Sequence, residues 1–204
     1  MTFSTEVRGL REFQSLIDAR DDVARFAVQA VNQATRDLRV DAAREIRQQI
    51  NFPAGFVAPR NDRLAIIQKA TPKEPVAIIR AAGRATSLSQ FVTGAGGRGR
   101  GVAVNIRGSG VRRFQRAFIF RGRRISATTD ARGGLVALRV RRGERLRASV
   151  AARQIDDGLY LLYGPSVAQV ALSEDNTGVF RDLEEPGARL VERYFLRRLR
   201  SVGL

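Results

Sequence analysis

From Leu10 to Phe52 the chain contains neither Gly nor Pro, and its apolar positions fall three and four residues apart. They run Leu10, Phe13, Leu16, Ile17, then Val23, Ala27, Ala30, Ala34, Leu38, Ala42, Ile46 and Ile50. That period predicts one long amphipathic helix, or a helix pair broken at Arg20-Asp21-Asp22, where a second helix could be capped. Unbroken, it would extend about 60 Å at ~1.5 Å per residue, longer than a compact domain of this size needs. Its small residues Ala27, Ala30 and Ala34 suit close helix contact. They serve either a core helix pair or a subunit interface. "NFPAGFVAPRND" then ends the helical part with Pro53, Gly55 and Pro59, and Phe52, Phe56 and Val57 can anchor the turn.

Beyond this point the period changes to two. "PVAII" (75–79) reads as a short buried strand, and "RATSLSQFV" offers another. Val102, Val104 and Ile106 share one parity, with Ala103, Asn105 and Arg107 on the other. Val136, Leu138 and Val140 alternate with Arg139 and Arg141, and Phe114, Phe118 and Phe120 share the parity of a core face. With turns at "RGSG", "RGRR" and "ARGG", this predicts antiparallel strands that bury one face and wet the other with arginine. "GLYLLYGPSV" adds a buried strand ending at Gly164-Pro165, where a conformation favouring glycine and a fixed proline turn are expected. "PGARLVERYFLRRLRSV" spaces Leu190, Tyr194, Leu196 and Leu199 helically, with arginines at its C-terminal end. The prediction is α+β: a long N-terminal helix or helix pair, an antiparallel sheet of four to six strands, and a C-terminal helix. The expected segments are a helical 1–52, a basic β domain 53–180 and a helix 181–204 packed on it as one structural unit.

Composition limits the chemistry. The 204 residues include no Cys and no His, which excludes disulfides, thiolate or Ser-His-Asp catalysis and histidine-ligated zinc. The first residues, "MTFSTEVRGLREFQ", lack the apolar run of a signal peptide, and no stretch reaches the ~18 apolar residues of a membrane span. A soluble, intracellularly made protein with no membrane partner is expected. The net charge of +16 is unevenly placed. Residues 1–50 carry 8 arginines and 8 acids, and residues 151–204 carry 7 arginines and 8 acids. Residues 51–150 carry 21 Lys and Arg against 4 acids. Only Lys69 and Lys73 are lysines, and arginine's planar fork suits phosphate.

"FVTGAGGRGRG" (91–101) places Gly94, Gly96 and Gly99 in a G-x-G-x-x-G pattern. A dinucleotide loop must open a helix and be followed about 20 residues later by an acid. Here a strand is expected next, and no Asp or Glu occurs between Glu74 and Asp130. The glycines instead predict a loop that presents Arg98 and Arg100. The acid pairs Asp156-Asp157, Glu174-Asp175 and Glu184-Glu185 fit turns and helix starts better than a metal site. No catalytic, cofactor-binding or metal-binding residue is expected, nor a small-molecule substrate.

Between Arg98 and Arg147 there are 15 arginines and 2 acids. Arg98, Arg100, Arg107, Arg112, Arg113, Arg139 and Arg141 are candidates for contact with a nucleic-acid backbone. Because the phenylalanines follow the core parity, sequence readout by stacking is not expected. A basic surface meeting acidic protein neighbours is the other reading.

"RAFIFRGRR" (Arg116–Arg124), then "LYGPSV" (Leu162–Val167), after a long helical N-terminus, resembles the minor tail protein Z family of long-tailed bacteriophages. The approach "RQIDDGLYLLYGPS" is acidic and without proline, where that family has arginines and a proline. The resemblance implies a tail completion protein of the virion at the head–tail joint, in a ring with six-fold symmetry to match the tail. Tail and neck proteins would be its neighbours and the genome DNA backbone would be in reach. Phe118, Gly164 and Pro165 fall in the matching words and are expected to be structural. A free nucleic-acid-binding protein without sequence preference is the alternative function.

Overall fold

In the computed structural model, residues 3–8, 21–95, 100–108, 110–120, 134–141, 143, 144, 146, 151–172 and 178–201 are described. The chain is α+β, with an N-terminal helix, antiparallel sheets and a C-terminal helix. Among the described residues the strands form three antiparallel sheets, and they belong to two compact units. The first unit comprises 1–46, 55–83 and 167–204; the second comprises 47–54 and 84–166. This division crosses the expected boundaries at 52 and 180, because the chain leaves the first unit and returns to it.

The first unit is built on helix α1 (Asp21–Gln49), which begins where the Arg20-Asp21-Asp22 interruption falls. Residues 9–20 lie outside the described set, so the expected stripe from Leu10 to Ile17 does too. Ahead of the helix is a strand the hydrophobic period did not signal, β1 (Phe3–Arg8). It joins β2 (Leu64–Gln68) and β3 (Val76–Ala81) in an antiparallel sheet ordered β1-β3-β2. The register sets Phe3 opposite Ala81 and Leu64 opposite the same Ala81. The "PVAII" strand is therefore the central one. Among the described residues the unit also holds helices α2 (Val167–Ala171), α3 (Val179–Asp182) and α4 (Glu184–Ser201).

The alanine stripe of α1 is core. Ala27, Ala30 and Ala34 are 2%, 1% and 0% exposed within a single chain, clustered with Ala70, Ala77, Val191 and Phe195. The subunit-interface expectation for these three residues is therefore corrected: α4 and residues from the sheet region already cover them. Small side chains are needed because α4 lies close. A Cβ on Gly187 would stand 2.9 Å from Leu38 Cδ1. Polar side chains fix the register of α1. Asn32 pairs with both backbone groups of Ala70, at 2.9 Å each. Buried Arg39 donates to the Leu64 carbonyl at 3.0 Å and the Val57 carbonyl at 2.7 Å. Burial lowers the Arg39 pKa, and those carbonyls supply the compensation for a charge out of water.

The second unit holds two antiparallel sheets. One is β5 (Val92–Ala95), β6 (Val102–Val104) and β7 (Arg112–Phe114), in that order. The other runs β10 (Ala152–Asp156), β11 (Leu159–Gly164), β9 (Leu135–Arg139), β8 (Ala117–Phe120). The expected "RATSLSQFV" strand is only β4 (Thr86–Ser87), paired with β11, followed by a 3-10 turn (Leu88–Phe91) before β5.

Two further expectations change here. Strand β6 is buried on both faces, Ala103 included, and β9 buries Leu135, Val136 and Ala137 consecutively. Apart from Arg139 at the end of β9, the predicted wet arginine face is therefore absent from these strands; the apolar words "VAV" and "LVAL" are the signature of cover on both sides. Gly164 does not adopt the left-handed conformation. Its constraint is contact: a Cβ there would lie 2.7 Å from Phe91 Cε2. Phe91 is buried beside Phe52, their ring centroids 5.5 Å apart.

Candidate nucleic-acid interface

The division into units concentrates charge. The second unit contains 18 arginines against 4 acids, net +14, and the first the remaining +2. Its described arginines, at 47, 84, 100, 107, 112, 113, 116, 139, 141 and 153, are all exposed.

The glycine motif sits in a hairpin. Ala95 pairs with Val102 in antiparallel register, and among the described residues no helix opens between Arg100 and β6. That geometry cannot direct a helix N-terminus at a pyrophosphate. Residues 96–99, Arg98 among them, lie outside the described set. The far end of the loop is held firmly. Gly101 has φ +71°, and a Cβ there would sit 2.3 Å from the Phe114 carbonyl oxygen. Only glycine permits both the left-handed backbone and that approach. Arg113 Nη1 donates to the Arg100 carbonyl at 3.0 Å, tying the loop to β7.

Strand β7 is the edge of its sheet and carries Arg112 and Arg113 side by side, so their side chains leave on opposite faces. Arg112 lies over the half-buried Phe114 ring, 5.2 Å from its centroid, which orients the guanidinium without using its donors. Each guanidinium carries five N–H groups, so one internal bond leaves others for phosphate.

The remaining candidates occupy turns and strand ends. Arg107 was expected on a strand face, but β6 ends at Val104 and Arg107 lies in the bend that follows. Arg139 is the last residue of β9, and Arg141 lies beyond it in the turn to Glu144. Arg116 is ion-paired with Glu144, whose carboxyl is held below its usual range by that bond. Sequence reasoning missed Arg153, exposed on edge strand β10, where "ARQID" gives only a weak alternation.

The rings also need correction. Phe114 and Phe118 lie on different strands, separated by the turn at 115 and 116, so they share no continuous face. Phe118 pairs with Ala137 on edge strand β8 and is 36% exposed, not core. Among the described residues one exposed ring does not make the successive stacking platform that single-strand readout uses. Asp156 lies at the end of β10 and Asp157 in the hairpin turn, and Glu184 and Glu185 open α4. Among the described residues no group of three or more acids is placed to hold a metal ion, and no helix is long and apolar enough to cross a membrane. The chain matches no family model, no curated protein and no solved structure.

Proposed function

We propose that the chain is a structural virion protein of a long-tailed phage that completes the top of the tail at the head–tail joint. It assembles there as a homo-oligomeric ring, six-fold to match the tail, among other tail and neck proteins. The arginines of its second unit contact the DNA backbone as the genome passes, and the protein is not an enzyme. The observation that carries the nucleic-acid part is a unit of net +14 whose described arginines are all exposed, at a helix end, on strand edges, at strand ends and in turns. Guanidinium groups on such varied elements suit a regular run of phosphates better than base edges, which require several side chains directed into one groove. The tail assignment rests on "RAFIFRGRR" and "LYGPSV".

Two measurements test the proposal. Labelled antibody against the chain, viewed by electron microscopy, should mark the head–tail joint of virions; label absent from virions would end the tail reading. Binding to three duplexes of unrelated sequence at low salt should be equally tight. Preference for one sequence would contradict backbone contact. Equal binding by a protein that never enters virions would favour a free nucleic-acid-binding protein.

A further inference from the structure

In the first unit, α1 and α4 border a polar groove of about 650 Å³, lined in part by Gln29, Gln33, Arg36, Tyr194, Arg197 and Arg198. Its cations are set in place. Arg36 donates to Gln33 Oε1, and Arg197 lies over the Tyr194 ring, 5.8 Å from the centroid. The nearby carboxylate of Asp37 is already engaged: Oδ1 accepts from Gln33 Nε2 at 3.3 Å, and Oδ2 accepts from the Tyr194 hydroxyl. Bonding to that carboxylate, with burial, raises the Tyr194 pKa, so the phenol remains a donor to Asp37 and does not add charge. The ion pairs described in this unit are Arg25–Asp22, Arg44–Asp41 and Arg189–Glu185. None uses Arg36, Arg197 or Arg198. Among the described residues, three guanidinium groups thus border the groove outside any ion pair.

The complementary feature is in the second unit. The β10–β11 hairpin ends in exposed Asp156 and Asp157, followed by Gly158 at φ +63°, which makes the turn narrow. Asp156 Oδ1 accepts from the Asp157 backbone N–H at 2.8 Å. The ion pair described in this unit, Arg116–Glu144, uses neither aspartate. An acidic doublet at a strand tip is conspicuous in a unit of net +14. A nucleic-acid strand is a poorer occupant of the α1–α4 groove. The first unit is nearly neutral as a whole, so it has no extended positive field to hold a long phosphodiester chain, whereas a compact pair of carboxylates needs only the local guanidinium groups.

We infer that the α1–α4 groove receives the Asp156–Asp157 hairpin tip of a second copy of this chain. The inference rests on the homo-oligomer reading and gives it a contact. Groove and tip are different surfaces, so the contact is head-to-tail, the type that closes into rings when the rotation permits.

The test is complementary charge reversal, read as mass in solution by sedimentation velocity in about 50 mM salt, where exposed charges are weakly screened. One variant carries Arg36→Glu and Arg197→Glu; the other carries Asp156→Arg and Asp157→Arg. All four side chains are exposed, and circular dichroism checks that each variant folds. If the groove variant misfolds, Arg36→Gln with Arg197→Gln replaces it. Wild type should assemble, and each variant alone should assemble at least ~10-fold more weakly, a change of about 1.4 kcal/mol. A mixture of the two reversed variants should recover assembly, because an acidic groove then meets a basic tip and a basic groove meets an acidic tip. Wild-type assembly that neither variant weakens, or a mixture that fails to recover, overturns the docking contact and leaves the oligomer standing. A wild type that stays monomeric at every concentration and salt overturns the homo-oligomer reading itself.

Discussion

Replacing Gly164 by alanine tests the packing argument at the end of β11. The new Cβ would lie 2.7 Å from Phe91 Cε2 and 3.2 Å from Cδ2. Carbon atoms rest at about 3.5–4.0 Å, so the ring must retreat by roughly 1 Å. It has little room to do so, because Phe91 is buried and packs against buried Phe52. Overpacking of this kind costs about 1–3 kcal/mol. For a chain of this size each kcal/mol lowers the melting temperature by roughly 2–4 °C, so a loss near 6 °C is expected. Gly164→Val should lose more, since its γ-methyls meet the same ring. Scanning calorimetry of Gly164→Ala, Phe91→Leu and the double variant separates the causes. If ring contact is the constraint, the double variant melts higher than the sum of the single losses predicts. A Gly164→Ala protein that melts within 1 °C of wild type, or strictly additive losses, would refute the reasoning.

Ala34→Glu should prevent folding rather than assembly alone, because the position is fully buried in one chain and a carboxylate there would be unpaired, costing several kcal/mol; a folded, monomeric variant by circular dichroism and sedimentation would contradict this. Arg39→Met should lower stability by about 2–4 kcal/mol in urea melts, since it leaves the Leu64 and Val57 carbonyls without their donor; an unchanged midpoint would show that water replaces the guanidinium. The Glu45 pKa is raised, first by burial and then by Asp182 and Asp41, so its ionised form is disfavoured in the folded chain. Any stability it contributes is present below the ordinary glutamate range and lost as pH rises through the raised value. Glu45→Gln should therefore stabilise by about 0.5 kcal/mol or less near pH 7, given solvent screening, and the difference should vanish near pH 3. A gain that persists at low pH would point to packing instead.

The α1 stripe was legible because its period does not depend on what the helix faces. What covers it was not, since Val191 and Phe195 lie some 160 residues further on. A row of alanines suits a neighbouring helix of the same chain as well as one from another. The alternation at 102–107 and 136–141 marked strands that prove shorter, 102–104 and 135–139, and assigned one wet face to each. The consecutive apolar words "VAV" and "LVAL" already argued for cover on both sides. Arginine therefore sits where those strands stop. Exposure of both Arg112 and Arg113 was not legible from the alternation, since the Phe114 parity would have turned Arg112 inward; both are exposed because β7 is the edge strand of its sheet. Arg153 was missed because β10 is an exposed edge strand with little apolar signal. Gly164 was read as a turn glycine; its actual constraint, the Phe91 ring, comes from a residue 73 positions earlier and leaves no local pattern.

The most direct measurement of the account is the salt dependence of duplex binding by the assembled protein. Each phosphate neutralised contributes roughly 0.9 to the slope of log affinity against log salt. Arg112→Gln, Arg113→Gln, Arg139→Gln and Arg141→Gln together remove four exposed charges without touching a buried side chain. If these arginines meet phosphates, the slope falls by up to about 3.6, affinity drops equally for every sequence, and the melting temperature changes little. A quadruple variant that keeps the wild-type slope, or a wild-type assembly that binds no DNA at low salt, would contradict the account and assign the arginines to acidic protein neighbours.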